Sequence, residues 1–384
     1  MSDEGDKAIP YVLYLTSSLR MGGAECLLLD IFKHFSKIEK PDISLSYLIM
    51  NNLTDDYLRK ELLATQSRGW FWDREESDRS LKYFFRLAKL VREQKITIIH
   101  THTTGSKYWG MIMKLIYPRV KLIYTVHSSF DVTRYHGIKL FLHKKMVDYN
   151  IAISNICKSQ CIEKGITKVS VINNGISLSE YAVRGECKYD EIPKLLTVAR
   201  VIPEIKGQDL ILEALSICVK KGHPFKITFV GNISGEYEEA YKKLLSQADS
   251  LSLPSRYVEI AGQINDMNKE YAKYDGYVCA SRKEGLGISI IEAMNAGLLV
   301  TTCDEEGPTE LVDCGETGFL FKNGSAESLA DAIIDAYFNT DVDEKNKMIQ
   351  AARAGIKKFD IREMFQKYCQ VYKTIFEGRT EDSC

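Results

Sequence analysis

At 384 residues the chain is long enough for two domains of about 100–200 residues each, and 45% hydrophobic with 27% charged residues is an ordinary globular composition. No apolar run approaches the roughly 18–20 residues of a membrane span, which argues against a membrane-crossing helix. A net charge of −1 and the lack of any recognition motif argue against nucleic acid, although the charge is uneven: residues 1–190 carry 28 Lys and Arg against 21 Asp and Glu, and residues 191–384 carry 23 against 31.

Along the first half, short β-branched and aromatic runs alternate with helical patterns. Strands are predicted at Tyr11–Leu15, Leu45–Ile49, Thr97–His100, Leu122–Val126, Ile151–Ile153 and Val169–Ile172. A helix is predicted over Ala24–Phe35, and basic helices over 81–95 and 134–145. The polar, strand-poor stretch Ser177–Pro193 marks a linker. The second half repeats the pattern, with strands at Leu195–Val198, Ile227–Val230, Val258–Ala261, Tyr277–Cys279, Leu299–Thr301 and Phe319–Phe321, and helices at Leu210–Lys220 and Leu329–Phe338. One amphipathic helix, Ile361–Phe376, follows, and Ser383 and Cys384 are expected to fray. This alternation predicts an α/β protein of two doubly wound parallel sheets facing across a cleft, with ligands at the carboxyl ends of the strands. The expected divisions are 1–180, a linker at 181–193, 194–360, and a C-terminal helical segment 361–384 crossing back to the first domain.

Met1 to Lys7 is acidic and polar, with no apolar stretch before the first strand, so no secretory signal is expected and a cytoplasmic location is. The ten cysteines are scattered, and no Cys-x-x-Cys occurs. Cys157 and Cys161 stand at helical spacing without a partner Cys or His pair, which favours buried thiols over zinc.

The densest motif is Ser281-Arg282-Lys283-Glu284-Gly285-Leu286-Gly287, followed by a helical pattern that contains Glu292. A strand, a glycine turn and a helix start place backbone N–H groups and a positive helix end where a phosphate can bind. Two carboxylates, Glu284 at the turn and Glu292 inside the helix, can grip hydroxyls. Alone, the spacing is equally open to chance. Two further glycine turns follow predicted strands, Gly22-Gly23 and Gly231-Asn232. None of the three is a Walker loop, and Ile290 stands where a dinucleotide fingerprint needs its third Gly. Arg200 ends a strand and Lys206 precedes a helix start; they can stabilise a departing diphosphate, or be solvated or paired with Glu204. His127 closes a strand at the crevice, where it serves the site or the structure. His100 and His102 resemble a metal pair, but no carboxylate cluster accompanies them, which favours a non-metal role. No divalent-metal site is evident.

Taken in order, Gly22-Gly23-Ala24-Glu25, Asn174-Gly175-Ile176, Arg200 to Lys206-Gly207, Glu284 to Glu292 and Gly315-Glu316-Thr317-Gly318-Phe319 resemble the retaining glycosyltransferases of family 4, from residue 10 to about 375. The resemblance implies two Rossmann-like domains in the GT-B arrangement. It implies that Arg200 and Lys206 hold the donor diphosphate, that Glu292 binds the nucleotide ribose, and that Glu284 faces the donor sugar. The backbone of Gly285, Leu286 and Gly287 would meet sugar or phosphate. His127 would lie beside sugar and acceptor, and Gly22, Gly23 and Gly231 would line the donor side. The Arg-to-Lys interval is one residue longer than the family pattern, by Ile205 or its neighbour, which leaves the pose of Lys206 open.

The expected reaction is transfer of a hexose or N-acetylhexosamine from a nucleotide-diphosphate sugar, UDP favoured, with retention and without a metal cofactor. The acceptor would be a hydroxyl of a lipid-linked or surface-polysaccharide glycan, held by the first domain. Its basic helices 81–95 and 134–145 suit an anionic membrane surface, which would make the protein peripheral on the cytoplasmic membrane; Leu140 and Phe141 packing into the core is the alternative. A nucleotide-sugar epimerase or phosphorylase of the same fold, or a non-catalytic partner subunit, are the rival classes.

Overall fold

The computed structural model describes residues 8–185, 192–305 and 307–378, without the side chains of Ser129 and Phe130. Met1–Lys7, linker residues 186–191 and Ser383–Cys384 fall outside the described residues. The chain forms two compact units, one of residues up to 174 together with those from Ile361 onward, the other of residues 175–360.

The first unit holds β1 (Tyr11–Thr16), β2 (Ser44–Asn51), β3 (Arg68–Arg74), β4 (Ile98–Thr101), β5 (Lys121–Val126), β6 (Tyr149–Ala152) and β7 (Val169–Val171). They make one parallel sheet in the order β3-β2-β1-β4-β5-β6-β7. The inner strands are buried on both faces, as helices on both sides of a parallel sheet require: all four residues of β4 and of β6 are buried. β3 has no counterpart among the predicted strands. It is an edge strand with Arg at both ends and Gly69 inside, so neither alternation nor an apolar run signals it. Gly69 is needed there, because a Cβ would lie 2.0 Å from the ring of Tyr47 on β2.

The second unit holds β8 (Lys194–Val198), β9 (Lys226–Val230), β10 (Val258–Gly262), β11 (Gly276–Cys279), β12 (Leu299–Cys303) and β13 (Phe319–Phe321), parallel in the order β10-β9-β8-β11-β12-β13. Leu195, Ile227, Phe229, Val278 and Leu299 from the sheet form a core with Leu212, Leu215, Leu329 and Ile333 from the covering helices. The helix predicted over Leu329–Phe338 is Ala326–Ile334, followed by a π-turn at Asp335–Asn339. That turn aims the Tyr337 hydroxyl at the Leu299 carbonyl, 2.9 Å away, over Gly276.

The expected linker has little extended structure. Residues 177–185 group with the second unit, with one 3-10 turn at Leu178–Glu180, and Ile176 bridges Asp360.

Both strand orders reverse direction once, between β1 and β4 and between β8 and β11. Loops leaving the carboxyl ends of those strands open a crevice in each sheet, the usual ligand position in such folds.

Candidate functional site

In the second unit the loops after β8 and β11 are built against each other. Pro203–Lys206 forms a single helical turn, ended by Gly207 at φ +68°. A Cβ on Gly207 would stand 2.0 Å from the Ala280 carbonyl oxygen, so the backbones meet with no room for a side chain. The Arg282 N–H donates to the Ile205 carbonyl at 2.8 Å, and its guanidinium grips both Asp209 oxygens at 2.8 and 2.7 Å. Gly231, after β9, packs as tightly: its Cβ would lie 1.9 Å from the Ala199 carbonyl.

Within this frame Lys206 and Glu284, 78 residues apart, form an ion pair at 2.7 Å, each side chain 20% exposed. Burial works against the Lys206 ammonium, but the Glu284 carboxylate more than offsets it, and the lysine pKa stands above its ordinary value. The pairing with Glu204 considered from sequence does not form; Glu204 is exposed. Ile205, in the helical turn before Lys206, is 46% exposed. Arg200 is exposed at the carboxyl end of β8.

Gly285 and Leu286 are buried, and Gly287 at φ +98° caps the helix Ile288–Asn295. The turn therefore presents a helix N-terminus at the sheet's switch point, near the Lys206 ammonium. An oxyanion placed there meets N–H dipoles and a fixed cation together. Glu292 lies on that helix and accepts hydrogen bonds from the hydroxyls of Tyr181 at 2.8 Å and Tyr271 at 2.6 Å.

The first unit places Gly22, Gly23 and His127 at its own crevice. Gly22 is extended and caps the helix Gly23–Phe35, and a Cβ there would meet only the mobile end of Glu25, so no backbone constraint demands this glycine. His127 follows β5. Its Nε2 and the Nδ1 of His102, which follows β4, are 2.9 Å apart. One nitrogen must donate and the other accept, so the two rings cannot both be imidazolium. Burial agrees: it pulls the His127 pKa down to about 4 and that of His102 well below its ordinary value.

His100 is a core residue, with Nε2 on Thr125 Oγ1 and Nδ1 on the Tyr372 hydroxyl, both at 2.7 Å. The His100–His102 pair thus divides into one structural ring and one partner of His127. No group of three His, Cys, Asp or Glu suited to a metal occurs among the described residues. Asp131 Oδ2 accepts from the backbone N–H groups of His127 at 3.2 Å and Ser128 at 3.1 Å. Ser128-x-x-Asp131 is a capping box visible in the sequence. Sequence reasoning missed this cap, His102 as a partner of His127, the Arg282–Asp209 clasp, and both tyrosines on Glu292.

Arg200, Lys206, Gly231, Glu284–Gly287 and Glu292 thus belong to the second unit, and Gly22, Gly23 and His127 to the first.

Comparison with known proteins matches residues 184–355 to the family described as "Glycosyl transferases group 1", and residues 48–180 to "Glycosyltransferase Family 4". The chain is 25% identical over 305 residues to the phosphatidyl-myo-inositol mannosyltransferase of Mycobacterium tuberculosis, covering 76% of this chain and 77% of that protein. It is also 25% identical over 275 residues to the capsular polysaccharide biosynthesis glycosyltransferase CapM of Staphylococcus aureus, covering 66% and 70%. Among solved structures, Anabaena Alr3699/HepE in complex with UDP and glucose superposes with a TM-score of 0.80 at 22% identity, over 94% of this chain and 99% of that one. Two doubly wound sheets in sequence, each matched by its own half of one enzyme family, leave a single assignment: the chain is a glycosyltransferase of family 4, with the GT-B fold.

Proposed function

We propose that this enzyme transfers a hexose or N-acetylhexosamine, with retention of anomeric configuration, from a UDP-sugar to a hydroxyl of a lipid-linked or surface-polysaccharide glycan. The observation that carries the reading is the Lys206–Glu284 pair at the switch point of the second sheet, beside the helix N-terminus at Ile288. A diphosphate seated there receives Lys206, Arg200 and the backbone N–H groups of the Gly285–Gly287 turn. Glu284 aims the lysine and faces the sugar hydroxyls. Glu292 receives the ribose, and Gly231 lines the donor.

In the reaction the bond from the anomeric carbon to the phosphate oxygen breaks, and the diphosphate leaves with the electron pair. The acceptor oxygen bonds to that carbon on the same face, and its proton passes to a phosphate oxygen. Negative charge grows on the diphosphate as the sugar turns oxocarbenium-like, and the fixed cations stabilise that state more than the ground state. Lys206 and Arg200 supply the charge without a metal ion.

The donor class is supported by the likeness to HepE, whose structure holds UDP and glucose. The acceptor class is supported by the relatives named for phosphatidyl-myo-inositol and for capsular polysaccharide. No helix among the described residues is long and apolar enough to cross a membrane. The first unit nevertheless exposes Leu81, Phe85, Ile138 and Phe141 at 71%, 65%, 68% and 59%, among lysines and arginines. Phe141 is not packed into the core, which favours a peripheral seat on an anionic membrane.

Thermal shift against UDP, GDP, ADP and their sugars, with EDTA present, tests the donor. A selective UDP shift that survives EDTA is expected; ligand at 100 times its Kd adds about 2.7 kcal/mol. Lys206→Ala should lose about 10²–10³ in turnover while staying folded. No shift with any nucleotide would instead favour a non-catalytic partner subunit, and wild-type turnover in Lys206→Ala would remove that residue from the mechanism.

A further inference from the structure

Glu292 is a half-buried carboxylate, and desolvation raises its pKa. Such a group is costly unless its oxygens are hydrogen-bonded. Two phenols do this: Tyr181 donates to Oε1 and Tyr271 to Oε2. Tyr271 is fully buried on the short turn Tyr271–Lys273 before β11. Its ring stands 6.2 Å from those of both Tyr181 and Tyr277. Tyr277 in turn donates to Ser289 Oγ at 2.7 Å, three residues before Glu292 on the same helix. Three tyrosine hydroxyls therefore fix one face of the helix Ile288–Asn295. A carboxylate offers about four lone-pair directions. The phenols take one on each oxygen, and one on each oxygen remains, a spacing suited to two neighbouring hydroxyls.

We propose that Tyr271 and Tyr181 are positioning residues for the donor, holding the Glu292 carboxylate so that its remaining lone pairs receive the two ribose hydroxyls of the nucleotide. The inference rests on the reading of Glu292 as the ribose acceptor. It gives a reason for two phenols to converge on one carboxylate. The phenols favour the ionised form that accepts from hydroxyls, and so oppose the effect of burial. Nucleotide affinity should fall as the pH drops through the Glu292 pKa, and removing one phenol should move that fall to higher pH.

Isothermal titration with UDP between pH 5.5 and 8, on the full chain and on Tyr271→Phe, Tyr181→Phe and Glu292→Ala, tests this. Tyr271→Phe keeps the ring and its packing. It should bind UDP about 10–100-fold more weakly, the size of a hydrogen bond to a charged group. Its deficit should widen toward low pH, with Tyr181→Phe following the same trend. Glu292→Ala should bind weakly at every pH. If Tyr271→Phe and Tyr181→Phe keep wild-type affinity across the range while Glu292→Ala loses it, the positioning role is wrong and the ribose reading survives. If Glu292→Ala binds UDP like the wild type, the ribose reading fails and the positioning role falls with it. A loss in Tyr271→Phe that is just as large when Glu292 is already Ala, in the double variant, would show that the phenol does not act through the carboxylate and would overturn the proposal.

Discussion

Four imidazoles in the first unit give the protein a pH signature. Burial lowers the pKa of His100 to about 3, those of His127 and His143 to about 4, and that of His102 well below its ordinary value. His143 sits with Nε2 2.9 Å from Asn150 Oδ1 and Nδ1 3.3 Å from Nζ of the buried Lys107, whose pKa burial lowers to about 7; below that pH the ammonium beside the ring opposes a second positive charge. In the unfolded chain each ring takes a proton near pH 6.5, whereas the folded protein keeps all four neutral well below that. The unfolded state therefore binds more protons, and stability falls as the pH drops from about 6.5 toward 4. The slope should be about 1.4 kcal/mol per pH unit for each ring that stays neutral. Urea unfolding at pH 7.5, 6 and 5 measures it. A free energy of unfolding that stays flat over that range would show that these rings titrate in the folded state.

At the scale of elements, the closest constraint is where the Gly207 turn meets the loop after β11. Gly207→Ala must hold a side chain in left-handed backbone, at a cost of about 1–2 kcal/mol, and also place a Cβ against the Ala280 carbonyl. A lower thermal midpoint is expected, together with weaker UDP binding as the Lys206 loop is pushed off; an unchanged midpoint would mean the loop moves freely. This junction also shows what the sequence can reveal. Strand existence was legible wherever an apolar run crosses a doubly covered sheet, as at Leu122–Val126 and Ile227–Val230. Edge strand β3 was not, because its pattern carries Arg, Gly and Asp. Lys206 and Glu284 were legible as candidates from their places after strands, but their contact was not, since 78 residues separate them. Tyr181 lies 111 residues from Glu292, outside any local pattern. Asp131, three residues after Ser128, was within reach of a capping rule.

For the molecule as a whole, the two halves of the chain carry opposite charge, and the basic half also exposes the aromatic side chains. Phe85→Glu with Phe141→Glu should abolish flotation with anionic vesicles, and leave stability within about 0.5 kcal/mol because both side chains are exposed. Equal flotation of variant and wild type, or none by the wild type, would dismiss the membrane surface. The other whole-chain feature is the final helix, Ile361–Phe376, which belongs to the first unit. Its Tyr372 hydroxyl meets both His100 and Tyr14, and its Phe365 ring lies 5.3 Å from His34. On the ribosome, the earlier-made segment of the first unit therefore lacks part of its core until the helix Ile361–Phe376 emerges. Residues 175–360 take roughly 10–40 s to synthesise at about 5–20 residues per second. Throughout that interval the surface around Tyr14 and His100 stays open to chaperones, and the later-made second unit can finish folding first.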